Sequence, residues 1–503
     1  MILSRYTLKN IKSDFVNVPQ ETLFDLPERV LQFGTGVLLR GLPDYFIDKA
    51  NRLGIFNGRI VVVKSTSGDT SIFDKQDGLY THCVRGLENG DKIDETIINS
   101  SISRVLDAHS QWQQILQCAH NQHMNIVISN TTEVGIQLVN DDIRYHPPKS
   151  YPGKLLAFLH ERFHAFGGSA QSGMVIVPTE LIPDNGNKLQ SIVLELAHLN
   201  SLSDAFIEWL ETCNHFCNSL VDRIVPGKPD AAMQKEIQET VGYSDQLMIM
   251  SEVYRLWAIE GDDHIKNVLS FAPADAGVVI ASNIEIYREL KLRLLNGTHT
   301  LSCGIAFLSG CDTVKSAMDD EIISSYIFEL MQNEIAPSIP YKVDVALAQD
   351  FGRKVLDRFR NPFIKHQWIS ITMNYSSKMK LRCIPVLMKH YESKHSVPEL
   401  FVIGFAAYLY FMKGVSIKDG KYYGELNGQP YLIQDDLAET FYQRWTALPP
   451  AALVQEVLGD TAYWGENLNN LPGFAEAVSG KLNSMLQSSV KEVAEHTMNK
   501  VVA

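Results

Sequence analysis

The stretch "LQFGTGVLLRG", residues 31–41, joins an apolar run to a helix-like run through two glycines. A glycine pair after a strand lets the backbone approach a phosphate closely, and the first amides of the following helix point to the same place. Position 39 is leucine, so the full G-x-G-x-x-G pattern is absent, and a simple strand–helix turn explains the glycines equally well. The candidate phosphate-binding residues are Gly34, Thr35, Gly36, Val37, Leu38 and Arg40.

Short β-branched runs alternate with helix-like segments through the first half of the chain. "RVLQFG" (29–34) is followed by a helix-like segment (38–54), in which Pro43 requires a helix start or a kink. Further strand-like runs are "RIVVVKS" (59–65), "NIVISN" (125–130) and "GMVIVPTE" (173–180). Strands separated by helical stretches predict a parallel sheet with crossover helices.

The pattern changes at about residue 235. The segments 232–261, 321–336 and 397–414 look helical, and β-branched runs become rarer, although "AGVVIASN" (276–283) is a candidate late strand. A chain of 503 residues is too long for one ordinary core. The sequence therefore predicts an α/β, Rossmann-like N-terminal domain over 1–240 and a predominantly α-helical C-terminal domain over 241–503.

Composition and charge exclude several classes of protein. The formal net charge of −13 disfavours nucleic acid or an anionic membrane as the main partner. The chain has no run of 18 apolar residues, and its first residues lack a signal-like apolar core. Its seven cysteines are scattered without a C-x-x-C pair, which predicts a reduced cytoplasmic protein. "CNHFC" (213–217) has no second ligand cluster, so no metal is expected.

A second unusual stretch, "KLRLLNGTH" (291–299), lies in a leucine-rich helical segment. On an α-helix Lys291, His299 and Asn296 would lie at about 0°, 80° and 140°, on the face that the leucines should bury. A desolvated lysine has a lowered pKa and can exchange a proton, an amide can donate to a developing oxyanion, and an imidazole can orient a hydroxyl. The set suits proton transfer at an alcohol oxygen. The structural alternative is a lysine reaching water, a helix-capping asparagine and a satisfied core histidine.

These stretches resemble a known family. "KLRLLNGTH" matches the K-x4-N-x2-H motif of the long-chain polyol dehydrogenases, the mannitol dehydrogenase family, and "QFGTGVLLRG" is similar to their G-x-G-x-x-x-R cofactor loop. "QDGLYT" (76–81), "SLVDRIVP" (219–226) and "RFRNPFIKH" (358–366) recur in the same order, from about residue 25 to the C-terminal end. "SNTTEVG" (129–135) and "PTELIPDNG" (178–186) are similar to the branch that reduces keto-hexuronates.

The resemblance implies NAD as the cofactor and assigns roles to individual residues. Lys291 matches the family's general base in alcohol oxidation, which acts as the general acid in carbonyl reduction. Asn296 matches an oxyanion-stabilising amide, and His299 a substrate-binding imidazole. Because a lysine supplies the proton and an amide supports the charge, the family needs no catalytic metal.

The branch implies a small-molecule substrate, D-tagaturonate, reversibly reduced to D-altronate in hexuronate catabolism by a monomer. Asp222 matches an aspartate at the family's substrate site. The substrate carboxylate needs cations or N–H donors, and Lys378, Arg382, Lys365 and His366 are the candidates. The alternatives are reduction of fructuronate, which differs only in sugar stereochemistry, oxidation of mannitol, and a catalytically silent NAD-binding protein.

Two positions depart from the expected pattern. Many relatives carry a second oxyanion asparagine in a C-[DE]-N motif, where this chain has "TEL" with Leu181; Glu180 or Asn185 is the candidate substitute. At the end of the second strand Lys64 stands where an acidic residue that reads the ribose is expected, so this position leaves the choice between NAD and NADP open.

Overall fold

The chain forms two compact units in the computed structural model, which describes residues 1–11, 14–66, 68–131 and 135–501. Unit 1 comprises Met1–Gly86 and Lys92–Ile284, and unit 2 comprises Leu87–Asp91 and Glu285–Ala503. None of the described helices is both long and apolar enough to cross a membrane.

Residues 1–284 carry the strands and helices of the α/β architecture. The strands are β1 (Glu28–Phe33), β2 (Arg59–Lys64), β3 (Tyr80–Glu88), β4 (Asp91–Asn99), β5 (Ile102–Asp107), β6 (Ile126–Ser129), β7 (Val175–Pro178), β8 (His215–Phe216), β9 (Ser219–Asp222), β10 (Ile249–Ser251), β11 (Leu256–Glu260) and β12 (Val278–Ala281). The α-helices are α1 (Val37–Gly41), α2 (Pro43–Arg52), α3 (Ser71–Lys75), α4 (Trp112–Cys118), α5 (Tyr151–Ala165), α6 (Asn185–Leu199), α7 (Asp204–Cys213), α8 (Ala231–Val241) and α9 (Asp263–Val268). Short 3-10 helices span Arg5–Asn10, Glu21–Asp25, Ala170–Ser172 and Ala272–Ala274.

The main sheet of unit 1 has, within the described ranges, six parallel strands in the order β5-β2-β1-β6-β7-β8. Numbered along the chain within this sheet, the order is 3-2-1-4-5-6, that of doubly wound dinucleotide-binding sheets. Alternate side chains of β1 enter two different buried clusters, Leu31 in one and Val30 in the other. Both faces are therefore covered, which confirms the α/β fold predicted from the β-branched runs. The winding reverses between β1 and β6, so ligands are expected at the carboxyl ends of these two strands.

Two smaller sheets complete unit 1 and correct two predictions. Only Ala231–Val241 of the predicted helical segment 232–261 is helical; "IMS" and "LWAIE" form β10 and β11 instead. β10 pairs with β3, and β11 pairs with β9 and β12. Short apolar runs fit a buried strand or a buried helix equally well, and here pairing decides. Because these strands belong to unit 1, the boundary lies at Ile284/Glu285, and the predicted boundary at 240/241 is wrong.

The helix after β1 breaks at Pro43, as the sequence predicts. α1 ends at Gly41, Leu42 leaves helical geometry (φ −132°, ψ −77°), and α2 begins at Pro43. The break leaves the last carbonyls of α1 without helical amides. The Tyr80 hydroxyl donates to the Arg40 carbonyl at 2.7 Å, and the Arg223 guanidinium donates to the Gly41 carbonyl at 2.7 Å. Side chains distant in sequence therefore replace the lost helical hydrogen bonds.

Unit 2 is mainly helical, as predicted. Its α-helices are α10 (Glu285–Leu290), α11 (Thr298–Leu308), α12 (Val314–Asp319), α13 (Glu321–Glu329), α14 (Val345–Phe359), α15 (Trp368–Ile371), α16 (Tyr375–Lys378), α17 (Ile384–Lys394), α18 (Glu399–Phe411), α19 (Ala438–Ala447), α20 (Pro450–Leu458), α21 (Thr461–Trp464), α22 (Phe474–Gln487) and α23 (Val490–Val501). Three segments are π-helical: Lys291–Gly297, Leu330–Ile335 and Met379–Cys383. The 3-10 helices are Ala336–Ser338 and Leu468–Asn470. An antiparallel sheet of β13 (Ser416–Lys418), β14 (Lys421–Leu426) and β15 (Gln429–Leu432), which the sequence patterns did not predict, completes the unit.

The centre of unit 2 is a close crossing of α11 and α18. A Cβ added to Gly404 would lie 2.8 Å from the Leu301 carbonyl oxygen, and one added to Gly304 would lie 3.1 Å from the Ala407 carbonyl oxygen. Glycines at these two positions let the helices approach closely. The helix that contains "KLRLLNGTH" is thereby fixed against the core of its own unit.

A buried carboxyl lies beside β1 in unit 1. Asp44 in the first turn of α2 is fully buried, its Oδ2 lies 3.5 Å from Nε2 of Gln32, and its Oδ1 has no hydrogen-bond partner among the described residues. Burial raises the pKa of Asp44 to about 8, although Gln32 and Arg40 oppose the shift. The folded protein therefore keeps this proton at neutral pH, where the unfolded chain has lost it.

We expect Asp44→Asn to stabilise the protein increasingly as pH rises. Below about pH 4 both states are protonated. Between that pH and about 8 only the unfolded state ionises, so wild type loses stability with rising pH, and the neutral amide does not. Thermal unfolding of both proteins at pH 5 and pH 8.5 measures the difference in stability, since 1 kcal/mol shifts the melting temperature by about 2–4 °C. A melting-temperature difference that is equal at both pH values would contradict it.

The matched control for this variant is Asp275→Asn. Burial alone would raise the pKa of Asp275, but Arg255 at 2.8 Å and Lys49 at 2.7 Å lower it. Its ionised form is stabilised by folding, so this variant should be less stable than wild type, with a deficit that shrinks only in acid.

Candidate active site

The loop after β1 is held between the two neighbouring strands. The Gly34 amide donates to the Val63 carbonyl of β2 at 3.0 Å, and the Asn130 amide donates to the Phe33 carbonyl of β1 at 3.1 Å. Gly34 has φ +126°, and a Cβ there would lie 2.8 Å from Leu39 Cδ1 and 2.9 Å from the Asn130 carbonyl oxygen. Only glycine fits this position without strain.

Gly36 has a different environment. It is the N-cap of α1 with φ −62°, it is exposed, and an added Cβ would meet no described atom within 4 Å. The half-buried residues Thr35, Val37 and Leu38 complete the loop and the first turn of α1, whose first amides have no acceptor within the helix. Open space, free amides and a glycine at the β1/β6 switch point fit a dinucleotide phosphate.

Arg40 lies in the interior of unit 1 rather than in this open space. Its guanidinium donates to the Leu247 carbonyl at 2.5 Å and lies over the Tyr80 ring at 5.4 Å. Burial lowers the pKa of Arg40, although Tyr80, Asp44 and Asp245 oppose the shift. These contacts fix α1 against the strand region before β10, a structural role different from the predicted charge at the phosphate.

Side chains connect the carboxyl ends of β6 and β7. Glu180 is buried and accepts from the Thr131 amide at 2.8 Å and from the Ser129 hydroxyl at 3.1 Å. Burial raises the pKa of Glu180, although these hydrogen bonds lower it. Asn130 donates to the Thr179 carbonyl at 3.1 Å. The remainder of "SNTTEVG", residues 132–134, lies outside the described residues.

The lysine and asparagine of "KLRLLNGTH" lie on a π-helical segment, Lys291–Gly297, between α10 and α11. The π-helix joins residues five apart by hydrogen bonds, so Lys291 and Asn296 come one turn apart on nearly the same face. The predicted α-helix would separate them by about 140°. Both side chains are half-buried, and the Asn296 amide has no hydrogen-bond partner among the described residues. The wider turn therefore improves on the predicted arrangement.

His299 follows on α11 and is buried. Its ring stacks on Phe359 at 4.2 Å and meets His366 and Trp368 edge-on at 5.3 and 5.8 Å. Its Nε2 has no hydrogen-bond partner among the described residues. Burial lowers the pKa of His299 well below its usual range, and nearby cations add to the shift. A neutral imidazole with an unused nitrogen can bind a hydroxyl.

The cations around His299 include Lys378 and Arg382. Lys378 Nζ donates to the Ile371 carbonyl at 2.9 Å, and Arg382 donates to the Thr300 hydroxyl at 3.3 Å. Neither forms an ion pair with a carboxylate of the described residues. Burial lowers the pKa of both, and Arg382 lowers that of Lys378 further. Two half-buried cations that repel each other could bind an anion.

The remaining predicted site residues have separate locations. Asp222 is buried at the end of β9 in unit 1 and pairs with Leu256 of β11. Lys64 ends β2, and its Nζ donates to the Thr66 carbonyl at 2.8 Å. Lys365 is exposed. Among the described residues, no group of three or more His, Cys, Asp and Glu residues could hold a metal ion.

Comparison with known proteins matches nearly the whole chain. Residues 28–271 match the mannitol dehydrogenase Rossmann domain, and residues 283–486 match the mannitol dehydrogenase C-terminal domain. The chain belongs to the mannitol dehydrogenase family. Altronate oxidoreductase of Bacillus subtilis (strain 168) is 38% identical over 93% of this chain and 95% of that protein. Altronate oxidoreductase of Escherichia coli (strain HS) is 36% identical over 93% and 96%.

Solved structures of the mannitol dehydrogenase family share the fold. Pseudomonas fluorescens mannitol 2-dehydrogenase, in a ternary complex with NAD and D-mannitol, matches with a TM-score of 0.66 and 23% identity over 99% of this chain and 100% of that one. A D-sorbitol dehydrogenase in substrate-free form matches with a TM-score of 0.77 and 19% identity, over 98% and 100%. The chain is an oxidoreductase of this family.

The family's second oxyanion asparagine has no substitute in the two candidates named from the sequence. Asn185 donates to the carbonyls of Pro178, Glu180 and Ser219 at 3.0–3.1 Å, and its oxygen accepts two backbone amides. The Glu180 carboxyl accepts a hydrogen bond from the Thr131 amide just after β6, and the Leu181 side chain is 60% exposed. Of Asn185, Glu180 and Asn296, only Asn296 has a side-chain amide without a hydrogen-bond partner among the described residues.

Gly34→Ala and Gly36→Ala should separate folding from dinucleotide binding. Gly34→Ala introduces strain at φ +126° and a contact with the Asn130 carbonyl, so we expect a loss of about 1–3 kcal/mol. Gly36→Ala meets nothing and should change stability by less than about 0.5 kcal/mol. Its Cβ enters the predicted phosphate space, so it should weaken NADH binding, measured by fluorescence titration. A stable Gly36→Ala variant with wild-type NADH affinity would place the dinucleotide elsewhere.

Proposed function

We propose that the chain is an NAD-dependent reductase of a keto-hexuronate, which reversibly converts D-tagaturonate to D-altronate. The relatives that are 36–38% identical over nearly their whole length carry the name altronate oxidoreductase. Neutral polyols need no cation for recognition, whereas a uronate carries a carboxylate.

The observation that carries the substrate class is the unpaired cation pair Lys378 and Arg382. In a protein of net charge −13, these two half-buried cations lie around the neutral His299 and form no ion pair with a described carboxylate, although Asp435 acts on Lys378 from a greater distance. A substrate carboxylate would remove their mutual repulsion and supply charge-assisted hydrogen bonds. They lie in the same unit as Lys291 and Asn296, so one unit holds groups for the carboxylate and for the ketone.

The roles of the side chains follow from their chemistry. The Lys291 ammonium gives a proton to the ketone oxygen during reduction and takes it back during oxidation. Asn296 donates its unused amide to the same oxygen as negative charge develops there. Neutral His299 hydrogen-bonds a neighbouring hydroxyl of the sugar chain and so fixes its orientation. Asp222 is a further proposed contact to the substrate hydroxyls.

The cofactor in this proposal is NAD. Gly34, Gly36 and the first amides of α1 would hold its pyrophosphate, and the open space at Gly36 admits the close approach. The hydride that reduces the ketone carbon comes from NADH when it is bound. Arg40 fixes the position of α1 in this arrangement.

The runner-up substrate is D-fructuronate, because its carboxylate would use the same cations. Oxidation of mannitol leaves those cations without a partner, which disfavours it. A catalytically silent NAD-binding protein would have no use for the Lys291–Asn296–His299 set.

NADH oxidation at 340 nm, followed with purified protein in separate reactions, tests the proposal. The substrates are D-tagaturonate, D-fructuronate and D-fructose, and NADPH replaces NADH in a parallel series. Turnover with D-tagaturonate at a much higher kcat/KM than with the others is the expected result. Preference for D-fructose would remove the carboxylate argument, and no turnover with any substrate would favour the silent protein.

Lys291→Ala should lower kcat by about 10² or more, because a positioned proton donor contributes at least that factor. The variant should still fold and bind NADH, since Lys291 is half-buried and lies outside the predicted cofactor loop. Melting temperature and NADH titration are the controls. A kcat within a few-fold of wild type would refute the proton-donor role.

Arg382→Met should raise KM for the keto-hexuronate by about tenfold or more, through the loss of a charge-assisted hydrogen bond. Lys380→Met is the matched control on the same π-helical segment, because its Nζ lies over the Tyr463 ring at 5.1 Å. The control should leave KM unchanged. Equal KM values for the two variants would show that Arg382 is not a carboxylate ligand.

A further inference from the structure

A buried ion pair joins two of the π-helical segments of unit 2. Arg293, on segment Lys291–Gly297, donates to the Glu289 carboxylate at 2.9 and 3.3 Å, and the two side chains are only 8% and 12% exposed. The remaining guanidinium nitrogen donates to the carbonyls of Leu381 and Arg382 at 2.7 and 3.0 Å. These carbonyls belong to segment Met379–Cys383, which carries Arg382 of the candidate anion site and directly follows Lys378.

Pro385 makes one of these carbonyls, that of Leu381, available. Proline has no amide hydrogen, so Leu381, four residues earlier, loses its α-helical donor. The wider π-helical turn disturbs the neighbouring hydrogen bonds as well. A carbonyl that is shielded from water and has no partner is costly, and Arg293 donates to both of these part-buried carbonyls at once. Glu289 accepts two hydrogen bonds from the planar guanidinium and so fixes its orientation for this contact.

Two further contacts connect the same segments. Arg382 donates to the Thr300 hydroxyl at 3.3 Å, and that hydroxyl donates to the Asn296 carbonyl at 2.8 Å. Gly297 lies against the Arg382 carbonyl oxygen, which an added Cβ would approach to 3.8 Å. The backbone of the anion site is thus fixed directly to the segment that carries Lys291 and Asn296.

We propose that Arg293, held by Glu289, is a positioning residue for substrate recognition. It sets the distance between the cations that bind the carboxylate, Lys378 and Arg382, and the groups that act on the ketone. The inference rests on the proposed keto-hexuronate reduction, in which carboxylate and ketone belong to one molecule. Arg293 itself touches neither substrate nor cofactor.

The test compares Arg293→Met, Arg293→Lys and Glu289→Gln in steady-state kinetics with NADH and D-tagaturonate. Arg293→Met should raise KM for the keto-hexuronate about 10- to 100-fold, because misplaced binding groups have effects of that size. The kcat per folded molecule should stay within about threefold, and NADH affinity should not change. Arg293→Lys keeps a donor for one carbonyl and should recover part of KM, and Glu289→Gln should show a smaller rise.

Arg162→Met is the matched control. Arg162 is also a buried arginine that donates to backbone carbonyls, those of Ser172, Ala119 and Asn121, but it belongs to α5 of unit 1 and none of these partners is a candidate site residue. It should lower the melting temperature and leave KM for the keto-hexuronate within twofold of wild type. The comparison separates a loss of stability from a loss of positioning.

The outcomes distinguish this inference from the proposed function. Wild-type protein without turnover on D-tagaturonate and D-fructuronate would overturn the proposed function, and this inference with it. An active wild type whose Arg293 variants lose kcat or stability with unchanged KM would overturn the positioning role alone. If Arg293→Met does not fold, Arg293→Lys and Glu289→Gln decide, since unchanged KM in both would likewise overturn it.

Discussion

Backbone carbonyls without helical partners are the constraint on which both candidate sites depend. In unit 1 the helix breaks at Pro43, and Arg223 and Tyr80 satisfy the carbonyls of Gly41 and Arg40. In unit 2 Pro385 leaves the Leu381 carbonyl without its α-helical donor, and Arg293 donates to that carbonyl and to the next one. A helix interrupted beside a functional site needs such a donor, because a buried polar group without one is costly. The donor then fixes the position of the interrupted segment.

The two units contribute different chemistry. Unit 1 offers a glycine-lined edge at the switch point of a parallel sheet, where backbone amides and open space suit a phosphate. Unit 2 offers side-chain chemistry: a lysine, an unused amide, a neutral imidazole and two cations. The first kind of site is built from backbone, so it depends on glycine and strand order. The second depends on the spacing of side chains along helices.

Sequence patterns predicted the elements whose signal is local. β1, β2, β6 and β7 appear where β-branched runs occur, and α2 begins at Pro43 because proline suits the first position of a helix. The prediction of helix at β10 and β11 is wrong, because short apolar runs fit either structure. Pairing with β3 and β9 makes these two runs strands. That error also moved the domain boundary, since strands that complete the α/β unit were assigned to the helical one.

The candidate site was predictable in its residue types and less so in its geometry. The polar residues Lys291, Asn296 and His299 among leucines predict a site, and the carboxylate requirement predicts nearby cations such as Lys378 and Arg382. The sequence does not predict the role of Arg293, because an arginine among leucines normally reaches solvent. Its carbonyl partners lie some 90 residues later in the chain and are visible only in the structure. The sequence likewise does not show that the side-chain amide of Asn185 donates to three backbone carbonyls and is therefore unavailable to an oxyanion.

The π-helical turn at Lys291–Gly297 makes the site depend on residue count as well as residue identity. Deleting one residue between Lys291 and Asn296 would keep all the functional residues in the sequence. It would nevertheless rotate Asn296 and the residues after it by about 100° about the helix axis, relative to Lys291. Length variation is therefore more disruptive here than most substitutions. An engineered transfer of this chemistry to another helix would have to carry the extra residue with it.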